Sequence, residues 1–162
     1  MEPLSLAVAD AGEVLTLQRA AYVTEAQAHG DLALPPLTQT FDEVRDELSD
    51  PSCTAWGFRE SGRLVASLRV HRVDAVTAEM GRLVVAPDRQ GNGLGSALLT
   101  AAEQRTPPEI TTARLFTGEH SQANLRLYRR LGYRETHRTA GGEYQMVHLA
   151  KTLRPAPAPS AW

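Results

Sequence analysis

The sequence predicts one α/β (α+β) domain over residues 1–153, on three observations. Apolar runs rich in β-branched residues alternate with stretches of 3.6-residue periodicity, in the order β-α-α-β-β-β-α-β-α-β-β. The stretch Leu83 to Ser96, LVVAPDRQGNGLGS, passes from strand through a glycine turn into a helix. A chain of 162 residues, 42% of them hydrophobic, suits a single core, and no run approaches the ~18 apolar residues of a membrane span.

Taken in order, Leu4 to Ala9 reads as a short first strand. Asp10 and Glu13 have the spacing of a capping box and open a helix to about Ala28, with Val14, Leu17 and Ala21 on one face and Tyr22 beside them. Residues 32–39, LALPPLTQ, read as an irregular Pro-rich loop. Thr40 and Glu43 form a second capping-box pair, and Phe41, Val44 and Leu48 give the next helix its apolar face before Asp50-Pro51 stops it. Cys53 to Arg59 and Leu64 to Val73 read as a hairpin about Glu60-Ser61-Gly62-Arg63. Cys53 has no histidine near it in sequence and reads as a small buried filler.

A strand over Thr77 to Val85 follows. Ala78 and Met80 fit one face of it, whereas Leu83 and Val85 fit that face only after a one-residue slip near Gly81-Arg82, as at a β-bulge. Apolar positions Leu94, Ala97, Leu98, Ala101 and Ala102 then mark a helix over 93–105, broken by Pro107-Pro108. Ala113 to Thr117 is a short strand. Ser121 opens a helix through Leu131, closed by Gly132. Tyr133 to Thr139 and Tyr144 to Leu153 read as strands joined at Gly141-Gly142, and the tail over 154–162, RPAPAPSAW, is expected to be disordered.

The glycine turn carries the chemistry. Gly91, Gly93 and Gly95 alternate after Pro87, so the chain there tolerates positive φ and lets backbone N–H groups approach a ligand. The helix that follows presents unpaired N–H donors and a partial positive charge, which suits phosphate. The spacing is neither the dinucleotide fingerprint nor the nucleotide P-loop, and no lysine follows the glycines. The pattern present is Gln90-x-x-Gly93-x-Gly95 behind L-V-V-A-P and Asp88-Arg89.

This pattern resembles the acetyl-CoA-binding motif of the GNAT superfamily of N-acyltransferases. The resemblance implies that backbone groups over Gln90, Gly91, Asn92, Gly93, Leu94, Gly95 and Ser96 hold the pyrophosphate of coenzyme A, beside Leu83, Val84 and Val85, with Arg89 as a phosphate partner. The run Asn124-Leu-Arg-Leu-Tyr128-Arg-Arg-Leu-Gly132-Tyr133 is similar to the family's second signature, a tyrosine four residues before a Gly-aromatic pair. By that resemblance Tyr128 contacts the cofactor and is the acid that serves the leaving sulfur. The family often has Asn where Ser121 stands, so either Ser121 or Asn124 is the polar contact. Glu79 is the candidate general base, with His71 second.

The implied fold is a mixed, mostly antiparallel central sheet with helices on both faces, in which a bulge splays the fourth strand from the fifth. The implied activity is transfer of an acetyl group from acetyl-CoA, as cosubstrate and without a metal, to a primary amine of a small molecule. A catalytically silent acyl-CoA-binding module and a protein N-acetyltransferase are the alternatives. The acceptor would meet residues from about Tyr22 to Thr40, including Glu25, His29 and Asp31, and a homodimer through sheet edges or C-terminal strands is compatible with the family.

Charge is unevenly spread. Residues 1–60 carry eleven acids against three arginines, and residues 61–162 carry eight acids against fourteen basic residues, for a net charge of −2. That balance gives no global attraction to nucleic acid, while a basic second part suits a polyanionic cofactor. Arg126, Arg129, Arg130, Arg134 and Arg138 cluster, and read as a solvated helix face rather than as the partner of an adenosine 3′-phosphate. The single cysteine and a start, MEPLSLAVAD, without a basic region and long apolar segment lead to the expectation of a cytoplasmic protein.

Overall fold

The computed structural model describes residues 1–156. Its strands are β1 (Leu4–Leu6), β2 (Cys53–Glu60), β3 (Arg63–Arg72), β4 (Thr77–Val85), β5 (Thr112–Gly118), β6 (Arg134–Ala140) and β7 (Gln145–Thr152). Its helices are α1 (Ala11–His29), α2 (Pro35–Thr38), α3 (Phe41–Ser49), α4 (Leu94–Gln104) and α5 (Gln122–Arg130). The seven strands form one sheet in the order β1-β2-β3-β4-β5-β7-β6. All neighbours run antiparallel except β4 and β5, which are parallel.

The two cores lie on opposite faces of this sheet. Leu98, Leu99 and Ala102 of α4 and Leu125 and Tyr128 of α5 pack with Leu68, Val70, Met80 and Leu115. On the other side Ala11, Val14, Leu15 and Leu17 of α1 and Val44 of α3 pack with Ala55, Leu64 and Val84. Helices thus cover both faces, as the mixed α+β reading expects. The β2–β3 hairpin closes through Ser61 (φ 51°) and Gly62 (φ 83°), the two positive-φ positions a tight hairpin turn requires.

Two features of β4 position the functional site. Its register against β3 runs Arg69↔Gly81 and then Ser67↔Val84, so β4 carries one extra residue, and Arg82 within it sits at φ 53°. This is the bulge expected at Gly81-Arg82. Beyond it β4 leaves β5: the two strands pair only at Thr77↔Thr112, Ala78↔Ala113 and Glu79↔Arg114, although both continue for several residues. A wedge-shaped gap opens between their far halves.

Local expectations fail where tertiary partners compete. Thr40 and Glu43 do form the capping box, with Glu43 N–H donating to Thr40 Oγ1 (3.1 Å) and Thr40 N–H to Glu43 Oε1 (3.2 Å). Asp10 and Glu13 do not. Asp10 accepts the Ala7 N–H (2.8 Å), and both carboxylates take the Arg59 guanidinium, while Glu13 also accepts the Leu64 N–H (3.0 Å). The loop over 32–39 contains the one-turn helix α2, started by Pro35 at its first position. Phe41 is exposed, with Arg45 over its ring, so Val44 carries the buried face of α3. Cys53 is buried, and burial pushes its thiol up to about 11. Arg154 is tied down through Thr106 Oγ1 (2.8 Å) and Pro107 O (3.0 Å). Residues 157–162 of the tail expected to be disordered lie outside the described residues.

Candidate active site

The glycine turn has two positions that only a glycine occupies comfortably, Gly91 (φ 81°) and Gly93 (φ 77°). A Cβ at either would meet open space, so backbone conformation rather than crowding sets the requirement. Gly93 caps α4, and Ala97 N–H is the first to bond back, to Gly93 O (3.0 Å). The N–H groups of Leu94, Gly95 and Ser96 therefore have no intrahelical partner. The Asn92 side chain folds back onto Arg89 O (3.1 Å) and Gln90 O (3.3 Å), which stiffens the turn.

These donors face a groove of about 380 Å³ that runs from the turn to the splayed strands. Leu83, Val84, Val85, Arg89, Gln90, Gly91, Gly93, Leu94, Gly95, Ser96 and Asn124 of the expected cofactor residues line it; Asn92 does not. Ala86 N–H donates to Val65 O across to β3 (2.8 Å), so strand alternation turns the Val85 peptide groups the other way, into the gap. There Val85 O takes the Gln90 amide (3.2 Å).

Two expectations about the phosphate partners change. Arg89 reaches the groove but is held in a bidentate pair with Glu60 (Nε–Oε2 3.0 Å, Nη2–Oε1 2.7 Å), which shares its charge. Arg130, read from the sequence as part of a solvated face, lines the groove and donates to Ser96 Oγ (3.2 Å). Its spacing on α5 carried no signal, because only the packing of α5 beside α4 brings it to the turn.

A second cavity of about 450 Å³ lies on the other side of the β4–β5 gap. The two share Tyr22, Glu25, Leu83 and Asn124, so they meet at a junction between α1, β4 and α5. Tyr128 opens onto the second cavity rather than onto the groove. It is 6% exposed, and its hydroxyl has no partner among the described residues. Burial, then the nearby Tyr22 and Glu25, push its phenol well above the usual range, so it stays protonated at neutral pH.

Ser121 is not at the junction. It is buried, and its hydroxyl donates to Glu25, whereas Asn124 lines both cavities and lies 3.5 Å from Glu25 Oε1. Nor does the structure bring Glu79 to Tyr128. Glu79 pairs with Arg114 (3.5 Å) on the sheet face that carries His71 and Arg69, and lines a separate cavity with His137 and His148. Alternation is the reason, since its neighbour Met80 points to the α4 side. His71 sits 3.7 Å from Glu47, also away from the junction. The carboxylate that is present there is Glu25, 99 residues from its partner Asn124 in sequence and therefore invisible to any local pattern.

Around the second cavity His29 has both ring nitrogens committed. Nδ1 meets Glu25 O (2.9 Å) and Nε2 accepts the His120 N–H (3.1 Å), which places the proton on Nδ1. Gly118 makes room for this, since a Cβ there would collide with the His29 ring. Tyr144 donates to Asp31 (2.7 Å); this bond lowers the Asp31 carboxyl below its usual range, and burial followed by the same bond pushes the Tyr144 phenol up to about 12.

A family model described as the acetyltransferase (GNAT) family matches residues 18–133. Among curated proteins, the UPF0039 protein C11D3.02c of Schizosaccharomyces pombe is 31% identical over 75 residues, 46% of this chain and only half of that relative's length. The solved ribosomal-protein-S18-alanine N-acetyltransferase of Escherichia coli superposes with a TM-score of 0.77 at 20% identity, over 99% of this chain and 97% of its own. PaiA N-acetyltransferase of Thermoplasma acidophilum, solved in complex with coenzyme A, gives 0.77 at 17% identity, over 93% and 98%. An aminoglycoside 6'-acetyltransferase type Ii gives 0.75 at 20%, over 97% and 100%.

Proposed function

Since the chain belongs to the GNAT family of acetyltransferases, we propose that it moves an acetyl group from acetyl-CoA to a primary amine of a small molecule. The observation that carries this reading is the junction: a groove lined with unpaired N–H donors and a second cavity holding a protonated tyrosine meet at Glu25 and Asn124. The groove fits the cofactor on its own features. Open space in front of Gly91 and Gly93, the free N–H groups opening α4, and the Arg130 guanidinium suit a diphosphate. When bound, acetyl-CoA supplies an electrophilic acyl carbon on a sulfur leaving group.

The chain's own residues divide the remaining work. The turn amides and Arg130 hold the diphosphate. The Val85 N–H, turned into the gap, is placed to polarise a carbonyl oxygen. Glu25, contacted by the neutral donors Ser121 and Asn124, orients an incoming ammonium group and takes up its proton directly or through a water. Tyr128 gives its hydroxyl proton to the departing sulfur. No covalent enzyme intermediate is required: the ammonium nitrogen would lose two protons, one through Glu25 to solvent before it attacks and one as the amide forms, the second replacing the proton that Tyr128 would give to sulfur.

Enclosure of the second cavity by α1, α2 and the β6–β7 turn supports a small acceptor over a folded protein. The test is calorimetric titration with coenzyme A and acetyl-CoA, followed by thiol release across an amine panel. Saturable binding with amine-dependent thiol release is expected. Binding without thiol release would leave a silent module, and absence of binding would overturn the assignment.

A further inference from the structure

Arg82 is the one residue of the β4 bulge with an uncommon backbone, φ 53°, a conformation that costs a non-glycine residue free energy. What the bulge gains is direction, since Arg82 lines the acceptor cavity next to Leu83, which lies at the junction. Its Nε is buried without a hydrogen-bond partner, and it forms no ion pair among the described residues.

Behind it, Arg69 is almost fully buried. Arg69 is held by Glu47 and by Gln18 (2.7 Å) and Gln39 (3.0 Å), and its Nη1 is also buried without a partner. Burial and then the nearby Arg82 pull its guanidinium down to about 10, which leaves it charged at neutral pH. Arg69 thus has Glu47 as its carboxylate, whereas Arg82 has none among the described residues. Leaving buried N–H donors unpaired is costly, and a planar guanidinium matches a carboxylate fork.

Resting on the acetyl-transfer reading, we infer that the acceptor carries a carboxylate close to its reactive amine, as in an amino acid, and that Arg82 binds this carboxylate. Glu25 and Asp31, both held only by neutral donors, supply the opposite charge for the ammonium end. Because Arg82 and Leu83 are adjacent, a carboxylate on Arg82 sets the neighbouring amine beside the junction.

The test uses matched pairs, each amino acid against its decarboxylated amine: tyrosine with tyramine, histidine with histamine, lysine with cadaverine. With acetyl-CoA and the intact protein, kcat/KM is expected to favour the carboxylated member by about tenfold or more in at least one pair. Arg82→Gln should abolish that preference through KM of the carboxylated member and leave its partner nearly unchanged, and Arg82→Lys should restore part of it. The wild-type comparison stands even if the variants fold poorly. Where turnover is too slow to read, calorimetry on coenzyme A-saturated protein measures the same preference. Equal use of both members, preference for the decarboxylated ones, or no binding of any carboxylated member overturns the inference. Loss of coenzyme A binding itself would instead sink the acetyl-transfer reading.

Discussion

Tyr128→Phe separates catalysis from stability more cleanly than any other change in the site. The hydroxyl has no partner within the described chain, so the substitution breaks no internal hydrogen bond. The ring stays, packed 6.1 Å edge-on from Tyr133. Stability should therefore move by no more than about 0.5 kcal/mol, a shift of about 2 °C in the melting midpoint for a domain of this size. The groove does not include Tyr128, so acetyl-CoA affinity should also hold within about twofold. Turnover is a different matter. A positioned proton donor is worth ~10²–10⁴ in rate, or about 3–5 kcal/mol of barrier. Steady-state thiol release, read alongside calorimetry and a thermal melt, measures all three quantities on one preparation. Turnover within about threefold of the wild type would refute the assignment of Tyr128 as the acid.

Other outcomes follow from the same geometry. Glu25→Gln should lower kcat/KM by about tenfold or more and change the pH–rate profile, while Glu79→Gln should leave both nearly unaltered; the reverse pattern would return the base to Glu79. Gly93→Ala should cost about 1–2 kcal/mol through its positive φ alone, visible as a lower melting midpoint, because the added Cβ meets no atom of the chain. The Glu13 carboxyl is held below its ordinary value by its bond to Arg59, against a smaller opposing effect of burial. Its stabilising contribution is thus present above the unfolded value and lost as pH falls through the lowered folded value. Denaturant melts of Glu13→Gln should accordingly differ most from the wild type near neutral pH and converge toward pH 3, and a constant difference across that range would contradict the pairing.

Much of the fold was legible because its signals are local. Positive φ at Gly91 and Gly93, the capping pair Thr40/Glu43 and the slipped alternation at Gly81-Arg82 each depend on residues a few positions apart. The misread features depend on distant chain. Asp10 and Glu13 have capping-box spacing, but Arg59 offers their carboxylates a charged partner that the helix terminus cannot match. Arg89 looked free for phosphate until β2 supplied Glu60. Glu79 stood near the motif in sequence, yet alternation sends it to the other face, and the carboxylate at the junction comes from α1. The glycine turn and Tyr128 were therefore readable in advance, whereas the Glu25 carboxylate that reaches the junction from α1 was not.

The partial pairing of β4 with β5 also has a mechanical side. Three rungs at one end join two half-sheets, and the arm of β4 beyond them, from Glu79 to Val85, stays paired with β3 and is about 20 Å long at the usual strand rise. A rotation of about 3° about those rungs would move the arm's tip by about 1 Å, enough to tighten or loosen a grip on anything lodged there. Glu79 and Arg114 sit at the pivot, where their side chains lie 3.5 Å apart across the last rung.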